Sequence, residues 1–265
     1  LDRSSAASDV YKRQVQIVAY FIYGCAGFGA VVVSAPFATS ILGTTVGVPF
    51  GTHLVLPFSY TMTLRNIRSV SWKDLAKILI ACAPGIILGQ YLFYVISPNT
   101  AKIAIGAAVV VIALMRIYQH IFVPYVLKRT EETEDGTPDT MTKKIMRIVC
   151  LVIGGVVHGA FNIGGPLITV YTLSAVKDKT KFRNTMLAVW ACLDTWNAVN
   201  QFINGAWTPK LWSALVVCWP FALVGFLVGN KLFNKINRAQ FLRIVDVVLL
   251  AVGLNTLIRA VAAVI

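Results

Sequence analysis

Charge is what this chain has least of. Only 13% of its 265 residues are Asp, Glu, Lys or Arg, about half the share found in soluble globular domains. That shortage excludes a soluble domain of useful size. Acids are the scarcest, 11 Asp and Glu against 24 Lys and Arg, so the formal charge is +13. The basic residues stand in short loops between apolar runs. They therefore build no nucleic-acid surface and instead follow the distribution of cytoplasmic loops lying against anionic headgroups. Cysteine is sparse as well. Cys25, Cys82, Cys150, Cys192 and Cys218 are scattered through apolar sequence without a CxxC pair. This argues against a disulfide framework or a metal site and reads them as small residues facing lipid or core. No cofactor is expected.

What the chain has is hydrocarbon. Hydrophobic residues are 57% of it and the mean hydropathy is +0.72. Uncharged runs long enough to cross the roughly 30 Å of a bilayer core recur along its length. Eight such segments are read, at 15–35, 37–64, 74–96, 99–122, 145–176, 184–204, 210–233 and 240–263. The class that follows is an all-α polytopic membrane protein whose first partner is the lipid bilayer. Residues 4–14 look like the in-frame translation of a transposase adapter used in sequencing libraries, so 1–14 is set aside as non-native. Residues 125–144, with the run Glu131 to Asp139, are too charged to pack and read as a cytoplasmic linker. They separate a first repeat, 15–124, from a second, 145–265.

Two of the segments carry breaks. His158 to Pro166 puts glycines, a proline and an asparagine inside apolar sequence, and a worn copy, Gly24 to Pro36, lies about 135 residues earlier. Glycine and proline weaken the helical ladder. Lipid tolerates the freed backbone groups only where protein or a water-filled cavity satisfies them. Paired broken helices at matching places in two halves are the best sequence pointer to a transport site.

Loop charge tests the topology. With eight plain crossings, the basic loops at Arg65–Lys77 and at the linker would face one side, and those at Lys177–Arg183 and Lys231–Arg243 the other, against the positive-inside rule. If 15–43 and 145–176 instead enter, break and return as re-entrant hairpins, each half has three crossings. The halves are then inverted repeats, and all four basic clusters face the cytoplasm. Thirty-two residues at 1.5 Å each leave two arms of about 24 Å, long enough for such a hairpin.

The same residues resemble a known family. Gly24-Cys25-Ala26-Gly27-Phe28-Gly29 through Pro36 is similar to the first signature of the TauE/SafE sulfite-exporter family of permeases. Gly159 to Pro166 is similar to the second, and Lys181 to Thr185, Asn204 to Pro209 and Gly225 to Gly229 agree. The resemblance covers nearly everything from Val15 onward. It departs at Ala30 and Val31, where the family usually continues its glycine run, and at Asn162, which replaces a common glycine. It implies a secondary carrier for small anions, often sulfur-containing, with proton coupling, in the bacterial cytoplasmic membrane.

Residue chemistry adds candidates. Helix starts carry free N–H groups and partial positive charge, which suit anionic oxygens. The return arms would begin near Gly29 and Gly164, so Gly27, Gly29, Gly164 and Gly165 are expected at a substrate site. Ser34, His158, Asn162, Thr169 and Tyr171 are expected to add polar groups there. The alternative for each polar residue is a bond to a neighbouring helix backbone. Trp190, Asp194, Asn197 and Gln201 share one helical face. An acid in mid-membrane is a site hypothesis by default, so Asp194 is expected to relay protons with His158 or His53, imidazoles being the side chains that ordinarily titrate near neutral pH. Lys181 and Arg183 are expected at the cytoplasmic mouth, as anion attractors or as topology anchors. A passive anion channel would use the same helix starts, and an aspartyl intramembrane enzyme lacks its flanking signature. Assembly as a homodimer is left open.

Overall fold

A computed structural model of the chain describes residues 3–97 and 141–237, with isolated positions at 100, 107, 111, 114 and 240. The segments expected at 99–122 and 240–263, and most of the 125–144 linker, lie outside the described residues. Among the described residues all regular structure is helical. In chain order the helices are α1 (Arg3–Ala26), α2 (Ala30–Leu42), α3 (Thr44–Arg65), α4 (Trp72–Val95), α5 (Met141–Phe161), α6 (Gly165–Ala175), α7 (Lys179–Ile203) and α8 (Pro209–Phe233).

The breaks fall where the backbone enters the left-handed region. Gly27 (φ +74°), Gly29 (φ +98°) and Asn162 (φ +60°) stop α1 and α5. Asparagine is one of the few non-glycine residues that visits this region routinely. Prolines do not mark the breaks: Pro36, Pro49, Pro57, Pro84 and Pro220 lie inside helices. Pro166, by contrast, opens α6 in the first turn, where its missing N–H costs nothing. A further left-handed residue, Gly43 (φ +82°), separates α2 from α3. The apolar run expected to continue from 37 to 64 is therefore two helices, and the first break lies at 27–29, at the glycines.

After each break the chain doubles back. Gly154 of α5 packs against Leu167 and Ile168 of α6. The far ends meet again, Lys144, Arg147 and Ile148 of α5 lining one cavity with Tyr171, Ser174 and Ala175 of α6. The first pair behaves alike: Arg13, Val15 and Gln16 of α1 share a cavity with Phe37, Ala38 and Leu42 of α2.

The largest interfaces run between α1 and α8 and between α4 and α5, with α3 against α7. Glycines set the first two. A Cβ on Gly24, Gly225 or Gly229 would overlap backbone carbonyl oxygens across α1–α8, and one on Gly85, Gly89, Gly155 or Gly159 would do so across α4–α5. Such small-residue stripes let helix backbones approach closely in lipid, where packing rather than water drives association. Cys25 Sγ donates across the first interface to Gly229 O (3.2 Å), and Cys82 Sγ across the second to Leu151 O (3.3 Å). Tyr60 Oη and Thr195 Oγ1 bond at 2.6 Å between α3 and α7. Landmarks recur along the chain: Gly24, Gly27 and Gly29 are followed 135 positions later by Gly159, Asn162 and Gly164.

Helices α4 and α8, and Lys144–Phe161 of α5, are long and apolar enough to cross a membrane, with mean hydropathies of 1.9, 2.2 and 1.7. Only 33% of each span is buried, so Ile80, Ile87, Tyr91, Val216, Val224 and Val228 point outward. An apolar exterior of this extent is stable against hydrocarbon, not water. Polar side chains are instead gathered inside. Helix α7 alone buries Arg183, Asn184, Thr185, Asp194, Asn197 and Gln201.

Candidate functional site

The two breaks meet. The Trp190 Nε1–H of α7 donates to the carbonyl of Gly27 at 2.7 Å. The same indole ring lies where a side chain on Gly165 would make contact, with Phe28 beside it. Between the breaks is a cavity of about 20 Å³, measured as the space open to the centre of a water-sized sphere. That is room for one water. An oxyanion of four heavy atoms is larger, so loading the site requires its walls to part.

One wall is the start of α2. Gly29, Ala30, Val31 and Val32 line the cavity, and the helix has no side-chain cap. Its first-turn N–H groups have no intrahelical acceptors, so this wall carries a partial positive charge. The start of α6 contributes less. Gly165 reaches the cavity, Pro166 has no N–H to offer, and Gly164 packs against Gly154 and His158 of α5 instead.

The opposite wall carries ionisable groups. His158 Nε2 stands 3.2 Å from Asp194 Oδ1, both side chains being 2% exposed. This is an ion-pair contact without an aligned hydrogen bond: both ring nitrogens of His158 and Asp194 Oδ1 lack hydrogen-bond partners. The imidazole lies beside the Trp190 ring, with centroids 5.3 Å apart. Asn162 lines the cavity too. Its Oδ1 accepts from Asn197 Nδ2 at 3.1 Å, whereas its own Nδ2 is buried without a partner. Asn197 in turn accepts from Gln90 Nε2 at 2.8 Å and donates to His158 O at 3.1 Å. This amide chain fixes the second break from α4 and α7. Buried polar groups are almost always paired, so the unpartnered atoms of His158, Asn162 and Asp194 around one cavity make it the candidate site.

The expected residues divide. Gly29, His158, Asn162, Gly165 and Asp194 line the cavity, and Gly27 is tied to it through Trp190. Ser34 is buried within α2 but is not on the cavity wall. Thr169 Oγ1 turns back to Gly165 O of its own helix. Tyr171 Oη donates to Asp74 Oδ1 at 3.3 Å, at the open end of the α5–α6 pair. His53 is held elsewhere: its Nδ1 lies 2.8 Å from Pro49 O, and its ring meets Trp207 and Trp212 edge-on. Of the two imidazoles considered for the relay, only His158 faces Asp194.

At the expected mouth, Lys181 is exposed and its backbone N–H is capped by Asp178. Arg183 is buried, donating to Asn230 Oδ1 at 2.7 Å and lying over the Phe233 ring. Lys179, which the sequence did not single out, donates to the carbonyls of Phe233 and Ile236 at the end of α8. Burial, and then the adjacent Arg183 charge, hold Lys179 below the usual lysine range. Both cations lie at the end of α8, where positive charge suits the negative end of the helix.

Tyr23, also on the cavity wall, was missed. The spacing of the two glycine motifs would have found it, since Tyr23 precedes His158 by the same 135 positions. Among the described residues no cluster of three His, Cys, Asp or Glu side chains could hold a metal.

A family model described as sulfite exporter TauE/SafE matches residues 15–256. The chain belongs to this family. No curated protein and no solved structure gives a significant match. Membership of TauE/SafE, together with the outward apolar faces of α4, α5 and α8, makes the chain an integral membrane protein of a transport family. The residues that carried the resemblance, Gly24–Gly29 and Gly159–Pro166, are those that form the two breaks.

Proposed function

We propose that this protein is a secondary transporter that moves a small anion, sulfite or an organosulfonate, together with a proton across a bacterial cytoplasmic membrane. The chain would cross the membrane several times. Transport proceeds by alternating access around the cavity between the two breaks. The observation that carries this reading is the convergence on one cavity of an uncapped helix start, an unpartnered amide donor and a buried His–Asp pair.

Charge explains why anion and proton travel together. A buried unpaired charge costs several kcal/mol, so a dry site favours overall neutrality. In the proposed cycle the empty cavity holds one proton between His158 and Asp194, a pair neutral overall. The anion brings negative charge, of which a second proton on the pair cancels one unit. By linkage each then favours the other's binding. The anion's oxygens are met by the α2 N–H groups and by Asn162 Nδ2, both otherwise unpartnered.

In this reading α1–α2 and α5–α6 are re-entrant hairpins of two inverted repeats. Lys77, Lys144 and Arg147 at the open end of the second face the cytoplasm under the positive-inside rule. The open end of the first, with Arg13 and Lys210, faces the other way. A cavity that admits one water fits a carrier between its loaded states better than an open channel.

The test is flux in proteoliposomes with a panel of sulfite, sulfoacetate, taurine and simple carboxylates. Saturable flux of a sulfur oxyanion is expected. No saturable flux of any anion, or a non-saturating conductance, would overturn the proposal.

A further inference from the structure

The pair on the cavity wall has a counterpart. Tyr23 Oη lies 2.6 Å from Ser59 Oγ. Tyr23 precedes His158, and Ser59 precedes Asp194, by the same 135 positions that separate the two breaks. Both tyrosine and serine are buried, and Tyr23 lines the same cavity as His158 and Asp194. The two halves thus present equivalent side-chain pairs to one small space, one ionisable and one neutral.

The protons of the neutral pair can be placed. Ser59 Oγ donates to Val55 O of its own helix at 3.1 Å. A hydroxyl has a single hydrogen, so with Ser59 donating to Val55 both bonds form only when Ser59 accepts from Tyr23, and the tyrosine proton is then turned away from the cavity. Turning it back needs only rotation about the C–O bond. What it needs in addition is an acceptor in the cavity stronger than a serine oxygen, and an anionic oxygen is such an acceptor.

We propose that Tyr23 is a substrate-binding residue of the anion site, with Ser59 as the parking acceptor that holds its proton while the site is empty. This rests on the transport reading above and adds the donor that faces the anion from the first half. The neutral pair also lets the site gain a donor without a second buried charge, which would have to be desolvated in every turnover. Selectivity follows from the same arrangement. A pyramidal or tetrahedral sulfur oxyanion has oxygens enough to face the α2 start, Asn162 and Tyr23 together, whereas a halide offers no directional oxygen to any of them.

The test is the KM for sulfoacetate in proteoliposomes for wild type, Tyr23→Phe and Ser59→Ala, with the melting temperature of each in detergent. Losing a hydrogen bond to a charged group should raise KM about tenfold or more for Tyr23→Phe. Ser59→Ala removes the competing acceptor, so its KM should hold or fall. A rise in Tyr23→Phe without one in Ser59→Ala is the signature, because a merely structural Tyr–Ser contact would raise KM in both. An unchanged KM in Tyr23→Phe, or an equal rise in both variants, overturns the inference while leaving wild-type transport intact. Absence of saturable wild-type flux overturns the transport reading and this assignment with it.

Discussion

His158 Nε2 approaches Asp194 Oδ1 to 3.2 Å in a space where each side chain is only 2% exposed. Neither atom completes an aligned hydrogen bond, so the pair is held close by packing, with Trp190 against the imidazole and Asn197 anchoring the His158 backbone.

Asp194→Asn keeps the shape of the pair and removes its acid. Transport driven by a pH gradient should fall to background, while anion binding, which uses the α2 start and Asn162, is retained in part. Binding by isothermal titration and flux with and without a pH gradient separate the two. Gradient-driven flux at the wild-type rate would remove Asp194 from the coupling step.

Asn162 has two duties that substitutions can divide. Its left-handed backbone (φ +60°) costs roughly 1–2 kcal/mol for a residue with an ordinary Cβ. Asn162→Leu should therefore lower the melting temperature and weaken the anion together. Asn162→Gly relieves the backbone but forfeits the Asn197 bond, so it should lose less stability than Asn162→Leu and still raise the anion Kd. Wild-type affinity in the glycine variant would show that the amide does not touch the substrate.

Gly229 and Gly89 sit at equivalent crossings, α8 on α1 and α4 on α5, each with a carbonyl where its Cβ would stand. Alanine at either should destabilise by about 1–3 kcal/mol, the usual cost of overpacking a close interface. Matching losses in thermal melts are expected. A neutral effect at one site would mean that the two interfaces are not packed alike.

Trp190→Phe retains a ring beside His158 but leaves the Gly27 carbonyl without its donor. An unsatisfied buried acceptor costs about 1–3 kcal/mol, and the first break loses its tie to α7. Stability should drop by that order and turnover should slow, read by melting and by initial rates. Unaltered turnover would show that this tie plays no part in the cycle.

Much of this was legible because the responsible physics is local. Glycines and an asparagine that take left-handed φ can be read one residue at a time, so both breaks and the helix starts after them were expected near Gly29 and Gly164. The shared face of Trp190, Asp194, Asn197 and Gln201 follows from helical period alone, and all four are buried on α7. What periodicity cannot give is a side chain's partner across the fold. Thr169 bonds its own helix and Tyr171 meets Asp74, although each looked as eligible as Asn162, and His53 rests among tryptophans. Pro36, which closes the first motif in the sequence, lies inside α2, so the glycines alone make that break. Tyr23 was hidden by its apolar neighbours and becomes visible only when the halves are laid over one another.

The central claim is that anion and proton share the cavity between the two breaks. It is tested most directly by imposing a sulfoacetate gradient on proteoliposomes at equal internal and external pH, with a trapped pH indicator. Sulfonate groups stay ionised at neutral pH, so most of any proton signal is not carried by the substrate. The account predicts an anion-driven pH change in wild type and none in Asp194→Asn. Sulfoacetate flux with no accompanying proton movement, or an identical pH change in the variant, would contradict it.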